Sequence, residues 1–143
     1  MSATLTVLAG LPGCGKSTYT AAHHGRARVL SADAIRAGES ARAVFQGMHR
    51  SARQSLIQER DVWIDACSLQ ARARMEWLGI ALATESRAVL VIIDTPLATC
   101  RQRDRVRHER ATIDWQKYAR EWTEMQTAIR REGWALVQRA AGA

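Results

Sequence analysis

Lysine, proline and cysteine are all scarce in this sequence of 143 residues. Only two of its 21 basic residues, Lys16 and Lys117, are lysines, and the chain has two prolines and three cysteines. The cysteines, Cys14, Cys67 and Cys100, are odd in number and widely spaced. This spacing argues against a disulfide framework or a metal knuckle and favours a reducing compartment. We therefore expect a cytoplasmic protein.

Long apolar runs are missing as well. The longest, residues 88–93, is too short to cross a membrane. The amino terminus has no basic region followed by an apolar core, so no secretory signal is indicated. The hydrophobic content of 47% nevertheless supports a real core, and the length suits one domain over residues 1–143. We expect no membrane partner, and the sequence leaves the oligomeric state open, a homo-oligomer included.

Positive charge is abundant and is carried almost entirely by arginine. The formal net charge is +7, and the isoelectric point is about 10.3. Such a balance favours a polyanionic partner such as a nucleic acid. Arginine also suits bidentate contacts with phosphate better than lysine does, although a bias in genome composition would give the same richness.

Residues 10–18 read Gly-Leu-Pro-Gly-Cys-Gly-Lys-Ser-Thr and fit the pattern G-x-x-x-x-G-K-[ST]. An apolar, β-branched stretch at residues 3–9 precedes them, and residues 17–23 suit a short helix that ends near Gly25. Strand, loop and helix in this order predict a nest of backbone N–H groups for the phosphates of a nucleoside triphosphate. Lys16 would reach the β- and γ-phosphates, and the Ser17 hydroxyl would bind Mg²⁺. The residues expected to bind the nucleotide are Gly10, Gly13, Cys14, Gly15, Lys16, Ser17 and Thr18.

Strand and helix patterns alternate along the rest of the chain. Strands are predicted at residues 5–9, 28–31, 62–65 and 88–94, and helices at residues 39–60, 70–86, 95–105 and 114–132. Thr95 and Pro96 resemble an N-cap and first-turn pair, and Asp114 is a possible N-cap of the last helix. Residues 134–138 suit either a fifth strand or more helix. The pattern predicts an α/β fold, with a parallel sheet of four or five strands flanked by helices.

Acidic residues follow three of the predicted strands, and open α/β sheets place their chemistry at the carboxyl ends of strands. We therefore expect Asp33, Asp65 and Asp94 to converge near the phosphates. Asp33, with Arg36 three residues later, suits a general base beside a cation that holds the substrate, but an ordinary helix cap is the alternative. Asp65 could hold Mg²⁺ through water, or could orient Arg36 or the acceptor, and Asp94 also suits a metal ligand. Strand order in phosphate-loop folds favours Asp65, and Asp94 then caps the turn at Pro96.

The segment at residues 101–110 holds five arginines in ten residues. Arg103 and Arg107 share one helix face. They suit a lid, at about residues 101–112, that reaches the transferring phosphoryl group. A solvated, salt-bridged helix explains the same composition equally well.

These motifs together resemble the kinase domain of bacteriophage-type polynucleotide 5′-kinases, within the wider zeta-toxin-like and gluconate-kinase-like group of P-loop kinases. The resemblance runs from residue 5 to about residue 126. It rests on the phosphate loop, on Asp33 with Arg36 as a D-x-x-R pair, and on residues 65–69. Residues 94–96, followed by Arg103 and Arg107, resemble the strand end and lid of that family, and residues 111–114 its post-lid segment.

The resemblance implies a role for each matching residue. Asp33 would be the general base, Arg36 would contact the substrate phosphate, and Arg103 and Arg107 would contact the ATP phosphates. Residues 65–69 read Asp-Ala-Cys-Ser-Leu where the family has D-A-T-N-L, so Cys67 and Ser68 depart from it. The same comparison implies substrate contacts from Asp33, Arg36, Asp65 and Ser68, and metal contacts from Ser17 and Asp65.

The leading hypothesis is an ATP- and Mg²⁺-dependent kinase that phosphorylates the 5′-hydroxyl of DNA or RNA. A second hypothesis keeps the chemistry and changes the acceptor to a small molecule, such as a sugar, nucleoside, nucleotide sugar or antibiotic. A third is a regulatory ATP-binding module without transfer activity.

Overall fold

A computed structural model describes residues 2–35, 38–108 and 113–141 of the chain. Its strands are β1 (Thr4–Ala9), β2 (Arg28–Ser31), β3 (Val62–Asp65), β4 (Arg87–Ile93) and β5 (Leu136–Ala140). Its α-helices are α1 (Lys16–His23), α2 (Ala41–Ile57), α3 (Ala71–Ala83), α4 (Leu97–His108) and α5 (Trp115–Ala128). Two short 3₁₀ turns span Asp33–Ile35 and Ile129–Arg131.

The five strands form one parallel sheet in the order β2-β3-β1-β4-β5. The central strands β1 and β4 are buried along almost their whole length, because a parallel strand covered on both faces has no solvent side. Val7 of β1 pairs with Ile64 on one side and with Leu90 on the other. This register brings the carboxyl ends of β1, β3 and β4 to the same edge of the sheet. The predicted α/β fold, a parallel sheet flanked by helices, is confirmed.

Helices α2 and α3 pack against each other and against the sheet, α2 on β2 and β3 and α3 on β1 and β4. Helix α2 begins at a Ser40 cap, whose Oγ accepts the Ala43 N–H at 3.4 Å. The predicted Asp114 cap of α5 is present, since Asp114 Oδ1 accepts the Lys117 N–H at 3.0 Å. Both helices therefore start at a polar residue that satisfies an otherwise unpaired backbone donor.

The C-terminal segment differs from the simplest helical prediction. Helix α5 ends at Ala128, and residues 136–140 form an edge strand rather than more helix. The structure thus resolves the alternative at residues 134–138 as a fifth strand, which pairs in parallel with β4.

The start of α4 also needs correction. The first helical residue is Leu97, and the helix continues to His108 rather than ending near residue 105. Thr95 is not the N-cap, because the helix begins at Leu97 and the Pro96 carbonyl accepts the Cys100 N–H at 3.0 Å. The Thr95 hydroxyl donates to the Cys14 carbonyl at 2.7 Å. Of the predicted lid, residues 109–112 lie outside the described part of the chain, as does the side chain of Arg107.

A buried ion pair ties the segment after α5 to the start of α3. The Arg74 guanidinium is 1% exposed and donates to the Glu132 carboxylate, with Nε–Oε1 at 2.9 Å and Nη2–Oε2 at 3.0 Å. Its Nη1 donates to the carbonyls of Ser68 (3.1 Å) and Leu69 (2.6 Å). Trp134 Nε1 donates to the same carboxylate at 2.8 Å. Arg74 therefore holds the turn after β3 against the segment that leads into β5.

Among the described helices, none is both long enough and apolar enough to cross a membrane.

Candidate active site

The phosphate loop connects β1 to α1, and its backbone requires glycine at two points. Gly13 has a φ of +77° and Gly15 a φ of +102°, in the left-handed region that glycine adopts without strain. A Cβ at Gly13 would also lie 2.5 Å from the Cys100 carbonyl oxygen of α4. The loop is therefore shaped by its own glycines and is packed directly against α4.

Lys16 is the first residue of α1, and its ammonium lies within the loop. Nζ donates to the carbonyls of Leu11 (2.9 Å) and Gly10 (3.2 Å) and lies 3.6 Å from Cys14 Sγ. Burial alone would lower the pKa of Lys16, but the thiols of Cys67 and Cys14 and the Asp65 carboxylate outweigh it, so the pKa is raised. The side chain is thus a buried cation at the N-terminus of a helix, an arrangement that suits a phosphate ligand.

Ser17 and Asp65 meet beside this lysine. Ser17 Oγ donates to Asp65 Oδ2 at 2.8 Å, which joins the start of α1 to the end of β3. The Asp65 residue is 8% exposed. A hydroxyl and a carboxylate are hard oxygen ligands of the kind that Mg²⁺ takes, with phosphate oxygens and water completing its octahedron. The pair fits the expected Mg²⁺ site, and the described residues contain no cluster of three or more His, Cys, Asp or Glu that would hold a metal by itself.

A single cavity of about 290 Å³ joins the phosphate loop to the predicted base. Asp33, at the first position of the 3₁₀ turn after β2, lines this cavity together with Lys16, Ser17 and Asp65. Asp33 is exposed, and its backbone N–H donates to Ser31 Oγ at 3.2 Å. The carboxylate therefore faces an open space that also touches the phosphate loop.

Three side chains of this cavity escaped the sequence analysis. Phe45 of α2, Tyr118 of α5 and Ile113 line the wall beyond Asp33. A helical hydrophobic pattern predicts that such residues are buried, but it cannot tell a core position from a cavity wall. Phe45 is nevertheless the only phenylalanine in the chain, which is the one feature that sets it apart.

The carboxylates do not converge as a set of three. Asp33 and Asp65 line the cavity, but Asp94 does not. Its carboxylate lies 3.6 Å from Arg139 of β5, and its backbone N–H donates to the Ala140 carbonyl at 2.8 Å. The pairing of β4 with β5 therefore draws Asp94 away from the phosphate loop.

Cys67 and Ser68 are adjacent in sequence but differ in their position relative to the cavity. Cys67 lines the cavity, and its thiol is close enough to Lys16 to help raise the pKa of that ammonium. Ser68 has a φ of +52° and is 7% exposed, and it does not line the cavity. The predicted substrate contact from Ser68 therefore has no support in the geometry, whereas its neighbour is in place for one.

The structure does not bring the predicted lid arginines to the cavity. Arg103 is half-buried on α4, and among the described residues none of α4 lines the cavity. The side chain of Arg107 and the whole of Arg36 lie outside the described residues.

Thr95 and Cys100 form a link that the sequence did not reveal. The Thr95 hydroxyl donates to the carbonyl of Cys14 at 2.7 Å, and the Cys100 thiol donates to the Thr95 carbonyl at 3.5 Å. Burial, first of all, raises the pKa of the Cys100 thiol to about 11, with the nearby Cys14 acting in the same direction. Cys100 is therefore a neutral donor at physiological pH, and Thr95 fixes the loop to the end of β4.

The AAA domain family AAA_33 matches residues 5–131. No curated protein sequence is significantly similar to the chain.

Solved structures share the fold at low sequence identity. A chain of the Pnkp1/Rnl/Hen1 RNA repair complex has 18% identity and a TM-score of 0.74 over 93% of this chain and 47% of its own length. This chain thus spans about half of that one. The Mycobacterium tuberculosis APS kinase CysC, in complex with AMPPNP and APS, has 18% identity and a TM-score of 0.56 over 98% of this chain and 88% of its own. A gluconokinase from Sinorhizobium meliloti 1021 has 15% identity and a TM-score of 0.59 over 98% of this chain and 83% of its own.

The structural similarity establishes a P-loop kinase-like fold. The family match covers most of the sequence and includes the phosphate loop, Asp33 and Asp65. The chain therefore belongs to the AAA_33 family of AAA domains.

Proposed function

We propose that this protein is an ATP- and Mg²⁺-dependent phosphotransferase that moves the γ-phosphate to the 5′-hydroxyl of a DNA or RNA strand. The observation that carries the proposal is the shared cavity. It joins the buried ammonium of Lys16 and the Ser17–Asp65 pair to a second carboxylate, Asp33, which needs no part in the metal site. A carboxylate placed between the phosphate loop and open space suits a general base for an acceptor hydroxyl.

The residues divide the reaction between them. Asp33 accepts the proton of the acceptor hydroxyl, and the oxygen of that hydroxyl forms a bond to the γ-phosphorus. The bond between the γ-phosphorus and the β–γ bridging oxygen breaks, which releases ADP. The backbone N–H groups of the loop and Lys16 balance the charge that spreads over the phosphoryl oxygens. Mg²⁺ held by Ser17 and Asp65 would add a further positive charge beside the β- and γ-phosphates.

Three arginines complete the proposal. Arg36 would hold the acceptor phosphate, and Arg103 and Arg107 would contact the ATP phosphates. A planar guanidinium that is always protonated suits both tasks. These roles rest on the resemblance to polynucleotide kinases and on the positions of the arginines in the sequence.

The acceptor is inferred from charge and from fold. The net charge of +7 favours a polyanion, and a chain of an RNA repair complex shares the fold. A small-molecule acceptor is the second candidate, supported by the modest cavity volume of about 290 Å³ and by the fold similarity to an APS kinase and a gluconokinase.

Transfer of γ-labelled phosphate from ATP in the presence of Mg²⁺ tests the proposal. The acceptors are a 5′-hydroxyl oligonucleotide, its 5′-phosphorylated counterpart, and a pool of nucleosides and sugars. Lys16→Ala removes the phosphate contact and Asp33→Asn removes the base. Glu85→Gln is the matched control, because it neutralises an exposed carboxylate at the opposite edge of the sheet.

We expect label on the 5′-hydroxyl oligonucleotide alone, with a 10²–10⁴-fold loss in Asp33→Asn, about the size of a general-base contribution, and no loss in Glu85→Gln. Label in the small-molecule pool instead would move the function to a metabolite kinase. ATP binding without transfer to any acceptor would refute the kinase proposal and favour a regulatory module.

A further inference from the structure

We infer that the groove between α2 and α3 binds the nucleotides that follow the 5′ end of a single-stranded acceptor. This inference rests on the proposed function and adds the path of the acceptor strand to it. The groove has a volume of about 720 Å³. It is lined by Arg42, Phe45, Gln46, His49, Gln70, Arg72, Ala73, Glu76 and Trp77.

The groove borders the catalytic cavity. Phe45 lines both spaces, the cavity on one side and the groove on the other. The turn after β3 makes a second junction, because Cys67 lines the cavity and Gln70 lines the groove. An acceptor whose terminal hydroxyl lies near Asp33 would therefore continue past Phe45 into the groove.

Aromatic rings form the floor of the groove. The rings of Phe45 and His49 lie 6.4 Å apart and are tilted, and His49 meets Trp77 edge-on at 4.6 Å. Trp77 is 1% exposed and supports His49 from below, whereas Phe45 and His49 are only half-buried. Two supported rings open to a groove are a stacking platform of the kind that holds unpaired bases.

Positive charge lines the rim on both sides. Arg42 on α2 and Arg72 on α3 are exposed, and the Arg72 side chain is 89% exposed. Glu76 is the one acidic side chain among the described groove residues, and it lies 3.4 Å from His49 and 3.7 Å from Arg72. The acid is thus engaged by its neighbours, and Arg42 and the outer face of Arg72 remain for phosphates.

Binding of a 3′-labelled, 5′-hydroxyl hexanucleotide, followed by fluorescence anisotropy, tests the inference without depending on turnover. Arg42→Ala/Arg72→Ala removes two charges from the rim. Arg26→Ala/Arg60→Ala removes two exposed charges from loops at the opposite edge of the sheet and is the matched control. A hexanucleotide with abasic second and third positions keeps the phosphates and removes the bases.

We expect the groove variant to weaken hexanucleotide binding about tenfold and the control to change it less than twofold. The slope of log affinity against log salt should become shallower by about 1.4 in the groove variant, because each phosphate contact on a single strand contributes about 0.7. The abasic strand should bind wild type at least about thirtyfold more weakly than the intact strand, because two stacked bases are lost.

Phosphorylation separates the groove from the reaction. The groove variant should phosphorylate a nucleoside 3′-phosphate with unchanged kcat/KM and lose about tenfold on the hexanucleotide. If the groove variant and the control lost hexanucleotide binding equally, or if neither lost any, the groove would not be the binding site of the acceptor strand. The proposed kinase activity would be unaffected by that result. Hexanucleotide binding that depends on Arg42 and Arg72 without any phosphorylation would retain the groove and refute the kinase.

Discussion

Replacing Arg74 by Met removes the buried cation that joins the turn after β3 to the segment after α5. The substitution leaves the Glu132 carboxylate, on a side chain only 6% exposed, with Trp134 as its remaining described donor. It also removes the donor from the carbonyls of Ser68 and Leu69. Breaking a buried ion pair from one side costs about 3–5 kcal/mol. We expect the free energy of unfolding to fall by that amount.

The same reasoning predicts the loss of stability when Glu132 alone is replaced and when both residues are replaced. Glu132→Leu strands the guanidinium and should also cost about 3–5 kcal/mol. In the double variant both charges are gone, and only neutral groups such as the two carbonyls lose a hydrogen-bond partner. Each lost partner costs about 1–3 kcal/mol, and the new apolar contacts offset part of that cost. We expect a double-variant loss of about 2–4 kcal/mol, well below the sum of the single losses.

Urea unfolding at pH 7 measures all three variants, and the m-value shows whether they unfold as the wild type does. A protein of this length is stabilised by about 7–14 kcal/mol, so the single variants remain folded. Arg72→Met is the control, because Arg72 lies on the same helix and pairs with Glu76 but is 89% exposed; it should cost less than about 1 kcal/mol. Additive losses from Arg74→Met and Glu132→Leu would refute the coupling on which the argument rests.

Three further predictions concern the phosphate loop. Thr95→Val leaves the buried Cys14 carbonyl without its hydroxyl donor and should cost about 1–3 kcal/mol in urea unfolding; no loss would show that the link to β4 is dispensable. Gly13→Ala forces a side chain into a φ of +77° and against α4, and calorimetry should show a lower Tm, whereas Gly47→Ala, in open space within α2, should raise it slightly. Cys67 is the half-buried thiol of the cavity, so its alkylation should block ATP binding, and bound ATP should slow the alkylation. An alkylation rate that ATP does not change would contradict the placement of Cys67 in the cavity.

The acid side of the stability profile follows from Glu132. Burial alone would raise its pKa, but hydrogen bonds from Arg74 and Trp134 and the Arg74 charge outweigh burial, so the pKa is lowered. A carboxyl whose pKa is lower in the folded state stabilises the fold above its unfolded pKa, near 4.5, and loses that contribution as the pH falls through its folded pKa. Urea midpoints between pH 7 and pH 3 should therefore fall less steeply for Glu132→Gln than for wild type, and parallel profiles would contradict the assignment.

The strands and the phosphate loop could be predicted from the sequence because their information is local. Residues 5–9 and 62–64 are rich in apolar and β-branched side chains, and the structure places β1 and β3 there within one residue. The spacing of Gly13, Gly15 and Lys16 likewise indicates the backbone conformation of a phosphate loop. Each of these patterns needs only its immediate neighbours to be interpreted.

The contact between Arg74 and Glu132 could not be predicted, because it joins residues 58 positions apart. Arg72 and Arg74 stand in the same Ala-Arg-Ala-Arg stretch. One side chain is 89% exposed and the other 1%. Arg74 lies on the face of α3 that also buries Trp77 and Ala81, and the contact with Glu132 is what allows a charged side chain there.

The choice between Asp65 and Asp94 shows why a topological rule was too weak. The rule favoured Asp65 because β3 lies beside β1, but β4 lies beside β1 as well. The two acids differ in the side chain that lies next to each of them. β5 offers Arg139 to Asp94, whereas the start of α1 offers a hydroxyl to Asp65. Because residues 134–138 suited strand and helix equally well, the position of Arg139, which pairs with Asp94, could not be predicted. The sequence therefore could not show which of the two acids lies beside the phosphate loop.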